Sequence, residues 1–164
     1  MPTLEFETIV AAPLEKVWAF FQDVVHGIPA IYSPKDQVQV EQADLPLRVG
    51  SMVVIRARGP VGKIRMVAKV IEHRPPHPVV FGEEARFVDV QESGPFKLWR
   101  HEHEMERIEQ RLTRLVDRVT YVVPYGPIGW LADVLIVRRK VRAMFRYRSD
   151  TVRRILEAEA SNTA

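Results

Sequence analysis

The 164-residue chain contains no cysteine, no long apolar run and no secretion signal at its start. Without cysteine, disulfides, thiolate metal sites and a cysteine nucleophile are excluded. No apolar stretch approaches the roughly 18 residues that indicate a membrane span. The first ten residues, MPTLEFETIV, lack the basic and apolar regions of a signal peptide. We therefore expect a cytoplasmic protein.

Sequence motifs of several functional classes are also missing. There is no Gly-x-Ser-x-Gly pattern of a serine hydrolase. The stretch RGPVGK lacks the spacing of a phosphate-binding loop and is typical of a hairpin turn. Aromatic and basic residues do not interleave as they do in proteins that bind nucleic acid, so we expect no nucleic-acid partner.

The composition is that of an ordinary globular chain, with 46% hydrophobic and 27% charged residues. The length suits one domain over residues 1–164, and no repeat or linker divides it. The sequence predicts no oligomeric state.

Positive charge is concentrated near the C-terminus. Residues 138–154 carry eight basic side chains against the single acid Asp150, a local charge of +7 in a chain of net charge +3. Two interpretations stay open for Arg138–Arg154. The arginines form the solvated face of a helix, or they form a docking surface for an anionic membrane or an acidic protein.

Hydrophobic periodicity predicts the order of the secondary structure. Residues 3–11 alternate as a half-buried strand, and APLEKVWAFFQDV has the spacing of a helix with Pro13 at its first position. A short helical turn and loop follow over Asp23–Ser33. Further strands are predicted over residues 37–41, 51–59, 62–73, 79–82, 85–91, 96–107 and 111–123.

From Ile128 to Glu159 the period becomes helical. The apolar stripe of this helix consists of Trp130, Val134, Val137, Val141, Met144 or Phe145, Val152 and Ile155. The predicted fold class is α+β: a curved antiparallel sheet of about six to seven strands wraps around the long C-terminal helix. Strong curvature leaves a cavity between the sheet and that helix.

Three segments carry a resemblance to a known family: VAAPLEKVWAFFQD, FVDVQESGPFKLWRHEH and TRLVDRVTYVVPYGPIG. They resemble the START-like helix-grip superfamily of polyketide cyclase/dehydrase and lipid-transport type, also called SRPBCC, and a subgroup with Gly-Pro-Phe followed by Trp-x-His-x-His. Met105 stands where the subgroup usually has an aromatic residue, and Leu112 where it has a small one. The resemblance implies a pocket for an apolar or amphipathic small molecule.

The two histidines lie in a strand, where alternate side chains share a face. The face predicted to point inward carries Trp99, His101, His103 and Met105. The opposite, solvent-facing side carries Leu98, Arg100, Glu102 and Glu104. In the next strand, Asp117 and Tyr121 share a face, and a turn centred near Glu109 places Asp117 beside Trp99 or His101.

Three interpretations of the histidine pair stay open. They are structural or cavity-lining residues, metal ligands, or acid–base catalysts oriented by Asp117. A metal site needs a third inward ligand, for which Asp117 is the nearby candidate, and we expect no metal and no cofactor. Phe87, Asp89 and Gln91 share a face whose direction the pattern does not determine.

We therefore expect a protein that binds, or transports, a hydrophobic or amphipathic small molecule. One alternative is a cyclase or dehydratase-like enzyme without metal, with His101, His103 and Asp117 as catalytic candidates. Another is a lipid-handling protein that docks through the basic helix. The predicted ligand contacts are Trp99, His101, His103, Met105, Asp117, Tyr121, Ile55, Met66 and Phe145.

Overall fold

A computed structural model describes residues 1–59, 62–77 and 84–161. Within these ranges the chain forms a seven-stranded sheet and four α-helices. The strands are β1 (Thr3–Val10), β2 (Gln39–Ala43), β3 (Met52–Gly59), β4 (Gly62–Arg74), β5 (Glu84–Ser93), β6 (Leu98–Glu109) and β7 (Leu112–Val122). The helices are α1 (Leu14–Gln22), α2 (Val24–Ala30), α3 (Gly126–Ala132) and α4 (Arg138–Ser161), with a 3₁₀ turn at Pro34–Asp36 and a π-helical turn at Asp133–Val137.

The sheet is antiparallel throughout, with strand order β1-β7-β6-β5-β4-β3-β2. Chain neighbours pair in series from β2 to β7, and β1 closes the order by pairing with β7. Register shifts interrupt the β2–β3, β4–β5 and β6–β7 ladders. Such irregularities bend strands and increase their twist, which curves the sheet. The predicted α+β class and strand number are confirmed.

A proline precedes α1, and an aspartate caps the start of α2. Pro13 is the residue before α1 rather than its first position, and Glu15 lies in the first turn, where a carboxylate favours the helix dipole. Phe21 on α1 is buried against the sheet side of the molecule. The Asp23 side chain accepts a hydrogen bond from the backbone N–H of His26 and starts α2.

The β6–β7 hairpin turns one residue later than the sequence pattern predicts. Glu109 pairs with Leu112, so residues 110 and 111 form the turn. Beyond a register shift, Arg107 pairs with Thr113, so Asp117 lies opposite His103 and not, as predicted, opposite Trp99 or His101. Its side chain nevertheless lies beside His101, with Oδ1 3.0 Å from Nε2. The face assignment is unaffected, because a shift by two residues keeps side chains on the same side of the sheet.

The helical C-terminal segment is confirmed, but its predicted apolar stripe is only partly buried. Val141, Phe145 and Val152 are buried, whereas Trp130 is 65% exposed and Val134 is 39% exposed. The prediction assumed an uninterrupted α-helical period. The π-helical turn at Asp133–Val137 adds a residue to one turn and changes the phase, so the earlier residues leave the buried face.

Two sequence predictions lie outside the described residues: the strand at Val79–Gly82 and the central residues of the turn after Gly59. The pairing of Gly59 with Gly62 is described. Among the described residues, no helix has both the length and the apolar character needed to cross a membrane.

Candidate functional site

β6 places both imidazoles on the inner face of the sheet. Trp99, His101, His103 and Met105 are all buried, as their alternation predicts. On the other face, Glu102 and Glu104 form ion pairs with Arg86 of β5 and Arg118 of β7 at 2.6–3.5 Å. These ion pairs connect β5, β6 and β7 on the outer face of the sheet, whereas the histidines lie on its inner face.

Asp117 of β7 is the centre of a buried polar cluster. Its Oδ1 lies 3.0 Å from Nε2 of His101 and 2.9 Å from Nδ1 of His103. The same oxygen accepts a 3.0 Å hydrogen bond from Nη2 of Arg148 on α4. One carboxylate oxygen therefore fixes two imidazole rings and one guanidinium group.

Arg148 is buried, and its assignment to the basic surface of Arg138–Arg154 is wrong. Its guanidinium carbon lies 5.2 Å from the ring centre of Phe21 and 5.5 Å from that of Phe145. The ion pair with Asp117 offsets the cost of removing this charge from water. A sequence signal existed: Arg148 follows Phe145 by three positions and precedes Val152 by four, the spacing of the buried stripe.

The cluster lowers the pKa of both His101 and Asp117, for different reasons. Burial, together with the charge of His103, lowers the pKa of His101 from 6.5 to about 4, although the hydrogen bond with Asp117 opposes this. Burial raises the pKa of Asp117, but the charge of Arg148 and the hydrogen bonds with both histidines outweigh it and hold the pKa well below 3.8. At neutral pH His101 is therefore neutral, and Asp117 is ionised.

Asp89 of β5 supplies a second inward carboxylate that the sequence pattern did not identify. Its Oδ2 lies 3.4 Å from Nε2 of His103 and 3.9 Å from Nδ1 of His101. Its neighbour on that face, Phe87, stacks on His103 with ring centres 3.9 Å apart. Asp117 is thus not the sole nearby third ligand, because Asp89 approaches the imidazole nitrogens that Asp117 leaves free.

A cavity of about 110 Å³ lies against this cluster. Five of the nine predicted ligand contacts line it: Ile55, Met66, Trp99, His101 and His103. The other four, Met105, Asp117, Tyr121 and Phe145, are buried outside its lining. As ligand contacts all nine stay predictions, as do the catalytic roles of His101, His103 and Asp117.

The helical wall of the cavity comes mainly from α1 and α2, not from the C-terminal helix. In the described part of the chain, α4 contributes Arg148 alone to the lining. Phe145 explains the difference, because its ring stacks on Phe6 of β1 at 4.9 Å and fills the space between sheet and α4. On the side of α1 and α2, the cavity is lined by Phe20, Phe21, Ile28 and the nearby Tyr32.

Tyr121 has a structural partner. Its hydroxyl donates a 2.7 Å hydrogen bond to Oδ1 of Asp133, whose other oxygen accepts a 2.8 Å hydrogen bond from Arg138. Burial and the Asp133 carboxylate raise the pKa of Tyr121. These contacts join β7 to the π-helical turn.

Comparison with known proteins gives no match to a family model and none to a curated protein sequence. Solved structures do match over nearly the whole chain. A START superfamily protein from Mycobacterium smegmatis has 12% identity and a TM-score of 0.67, with 95% of this chain and 97% of that chain covered. The fold is the START-like helix grip.

Two further structures have the same helix-grip fold. The Zhui aromatase/cyclase from a Streptomyces species has 18% identity and a TM-score of 0.62, covering 96% of this chain and 97% of its own. A Thermus thermophilus protein has 19% identity and a TM-score of 0.58, covering 92% and 97%. At these identities the likeness shows the fold alone, since one fold carries many functions.

Proposed function

We propose that the protein binds a small amphipathic molecule in the cavity formed by the sheet, α1 and α2. The observation that carries this proposal is the combination of apolar walls with one buried polar cluster. Ile55, Met66 and Phe87 contribute apolar surface, and His103 and Arg148 contribute polar atoms. This is the usual composition of a small-molecule site, in which sparse polar groups orient an otherwise apolar ligand.

The volume limits the ligand size in this conformation. An apolar cavity of about 150 Å³ accepts benzene, so a cavity of about 110 Å³ suits a short chain or another ligand smaller than one ring. A ring-sized ligand requires a small outward movement of the α1–α2 wall. Binding and transport of such molecules are both consistent with this cavity.

The charges of the cluster favour a neutral oxygen over a carboxylate in the ligand. Arg148 already pairs with Asp117, and Asp89 adds a second negative charge, so the cluster has one net negative charge when the imidazoles are neutral. Nε of Arg148 is buried and has no hydrogen-bond partner among the described residues. A carbonyl or phenolic oxygen can accept a hydrogen bond here without adding charge.

A three-ligand comparison tests this proposal. The protein is titrated with 4-ethylphenol, ethylbenzene and 4-ethylbenzoate, and binding is followed by calorimetry and ligand-observed NMR. The affinity should be highest for 4-ethylphenol, lower for ethylbenzene and lowest for the anion 4-ethylbenzoate. A hydrogen bond to a charged group such as Arg148 is worth roughly 1.5–3 kcal/mol, so 4-ethylphenol should bind at least about tenfold more tightly than ethylbenzene. Native mass spectrometry of gently purified protein should also show a bound small molecule.

The variant Met66→Trp fills the cavity and should abolish binding of 4-ethylphenol. Ile71→Trp is the matched control, because Ile71 is exposed on the same strand, β4. Equal binding by both variants and the parent protein would place the ligand elsewhere and overturn the proposal.

We propose docking on an anionic membrane as a second function, because a specific surface favours it. Residues 125–136 expose seven large apolar side chains, from 39% to 81% of their surface: Tyr125, Ile128, Trp130, Leu131, Val134, Leu135 and Ile136. We call this surface the apolar ridge. Exposed apolar patches of this kind mark interaction sites.

The chemistry around the apolar ridge favours lipid over an acidic protein. Exposed basic residues follow it directly, at Arg139, Lys140 and Arg142. Apolar side chains with an aromatic residue, next to a basic segment, are the combination that inserts at the surface of anionic bilayers. An acidic protein surface would pair with the arginines but leave the apolar ridge exposed to water.

Flotation with liposomes tests the docking surface. The protein should float with vesicles of phosphatidylcholine and phosphatidylserine and much less with phosphatidylcholine alone. Trp130→Ser with Leu131→Ser should reduce flotation, whereas Val49→Ser, at an exposed apolar residue far along the chain, should not. Equal flotation with both lipids, or a dimer in light scattering that the ridge variant dissociates, would overturn the membrane proposal.

A further inference from the structure

The inner face of β5 and β6 brings a carboxylate and two imidazoles to one point on the cavity wall. Asp89, His101 and His103 each offer one ligand atom, and these atoms lie within 4.8 Å of one another. We propose that this group binds a divalent transition-metal ion, held by Nδ1 of His101, Nε2 of His103 and the carboxylate of Asp89. The sequence led us to expect no metal, because it did not reveal an inward Asp89.

The two distances from Asp89 to the imidazoles are close to those of a metal site, and the three ligand atoms all lie within 4.8 Å of one another. Ligand atoms about 2.1 Å from a metal lie about 3.0–3.4 Å apart in octahedral or tetrahedral geometry. The separation of 3.4 Å between Asp89 Oδ2 and His103 Nε2 already matches this range. The distance of 3.9 Å between Asp89 Oδ2 and His101 Nδ1 requires a shift of about half an ångström, which a small rotation of the imidazole supplies.

Asp117 holds the imidazoles in the orientation that a metal site needs. It binds the far nitrogen of each ring, Nε2 of His101 and Nδ1 of His103, at 3.0 Å and 2.9 Å. Metal-binding histidines usually donate their other N–H to a carboxylate, which fixes the tautomer and leaves a lone pair for the metal. The ring nitrogens left over are those that approach Asp89.

The charge of the cluster also suits a cation. Asp89 and Asp117 outnumber the single guanidinium of Arg148, so the buried group is negative before a cation binds. Asp89 receives no hydrogen bond from a side chain within the described ranges, and its nearest nitrogen partner is His103. Nη2 of Arg148 lies 3.0 Å from Asp117 Oδ1 and 3.1 Å from Nδ1 of His103, and so contacts the ring nitrogen that is not the proposed ligand.

The donor set defines the class of metal. Two imidazoles and one carboxylate suit Fe²⁺, Co²⁺, Ni²⁺ or Zn²⁺ rather than Mg²⁺ or Ca²⁺, which prefer all-oxygen ligands. All three residues line the cavity, so the remaining coordination positions open toward it. Metal binding at this site does not depend on whether the cavity also takes an organic molecule.

Equilibrium dialysis of the full chain tests the site after treatment with a chelator. Dialysis against micromolar Zn²⁺ or Co²⁺, followed by metal analysis, should give one equivalent per chain, and Co²⁺ should produce visible absorption bands. Loss of an outer-shell partner alone weakens metal binding by roughly tenfold or more. Each of the ligand variants Asp89→Asn, His101→Gln and His103→Gln should therefore weaken metal binding at least about tenfold. His26→Gln is the control, because His26 is an exposed histidine beside a carboxylate, that of Asp23.

Each outcome decides the proposal. No binding at 100-fold protein excess over a trace of radioactive Zn²⁺, unchanged binding in Asp89→Asn and His103→Gln, or loss only in His26→Gln would overturn it. Asp89 is partly exposed, and within the described ranges its ion-pair partners are the two histidines, so Asp89→Asn keeps the test valid if a histidine variant fails to fold. Titration of the same metal-free samples with 4-ethylphenol separates failure of the metal site from failure of the proposed ligand site.

Discussion

Arg148 of α4 and Asp117 of β7 form an ion pair of 3.0 Å in the interior, with both side chains at most 5% exposed. The pair joins the C-terminal helix to the sheet at the level of the two histidines. The same oxygen of Asp117 also contacts the imidazoles of His101 and His103. One carboxylate therefore links the position of the helix to the geometry of the cavity wall.

Removing one partner of this pair should strongly destabilise the protein. Arg148→Met leaves Asp117 as a buried carboxylate without its guanidinium partner, and loss of one member of a buried pair costs about 3–5 kcal/mol. Denaturant unfolding monitored by circular dichroism should show a fall in the free energy of unfolding of this size. Arg146→Met, at an exposed arginine on the same helix, should stay within about 0.5 kcal/mol of the parent.

The double variant Arg148→Met with Asp117→Leu separates an unpaired charge from lost packing. Apolar replacement of both members of a buried pair is often neutral or stabilising. We expect the double variant to recover part of the stability lost by Arg148→Met alone. If it is less stable than the parent protein by the sum of the effects of Arg148→Met and Asp117→Leu alone, the two residues do not interact energetically.

Acid should destabilise the metal-free protein in two steps. The pKa of His101 falls from 6.5 to about 4 on folding, so the unfolded chain binds more protons between these values. The free energy of unfolding therefore decreases as the pH falls from about 6.5 to 4, by up to roughly 3 kcal/mol. Below 3.8 the lowered pKa of Asp117 adds a second decrease with the same sign.

Denaturant unfolding at a series of pH values checks this dependence. His101→Gln should flatten the curve between pH 6.5 and 4 and leave the decrease below pH 4. A residual slope in the upper window is expected from His73, whose pKa burial also lowers. A slope unchanged in His101→Gln would contradict the assignment to His101.

The fold could be predicted because its signals are local. Alternation within β6 identified the inner face, and the change of period after Ile128 identified the long helix. Asp89 was not identified because its face combines Phe87 and Gln91, an apolar and a polar residue, and so has no clear direction. Burial of Arg148 depends on Asp117, which lies 31 positions away in the sequence. Only the assembled fold brings these two residues together.

Tyr121 should act on stability through the π-helical turn. Tyr121→Phe removes the donor to Asp133 and leaves a buried carboxylate with Arg138 as its remaining partner. Loss of one partner from a buried polar group costs about 1–3 kcal/mol. Thermal unfolding should show this decrease, whereas Tyr147→Phe, at an exposed tyrosine on α4, should have little effect. Equal effects of the two variants would contradict a role for the bond with Asp133.

Phe145 should contribute to stability more than to ligand binding. It is fully buried and packs between Phe6 and Trp99, with ring centres 4.9 Å and 6.5 Å away, and it does not line the cavity. Phe145→Ala should cost about 3–5 kcal/mol in denaturant unfolding. The affinity of this variant for 4-ethylphenol, measured below the unfolding transition, should stay within about threefold of the parent protein, which is about 0.7 kcal/mol. The reason is that the truncation removes no atom from the cavity wall. A large loss of affinity with little change in stability would instead support the direct ligand contact that the sequence pattern predicts for Phe145.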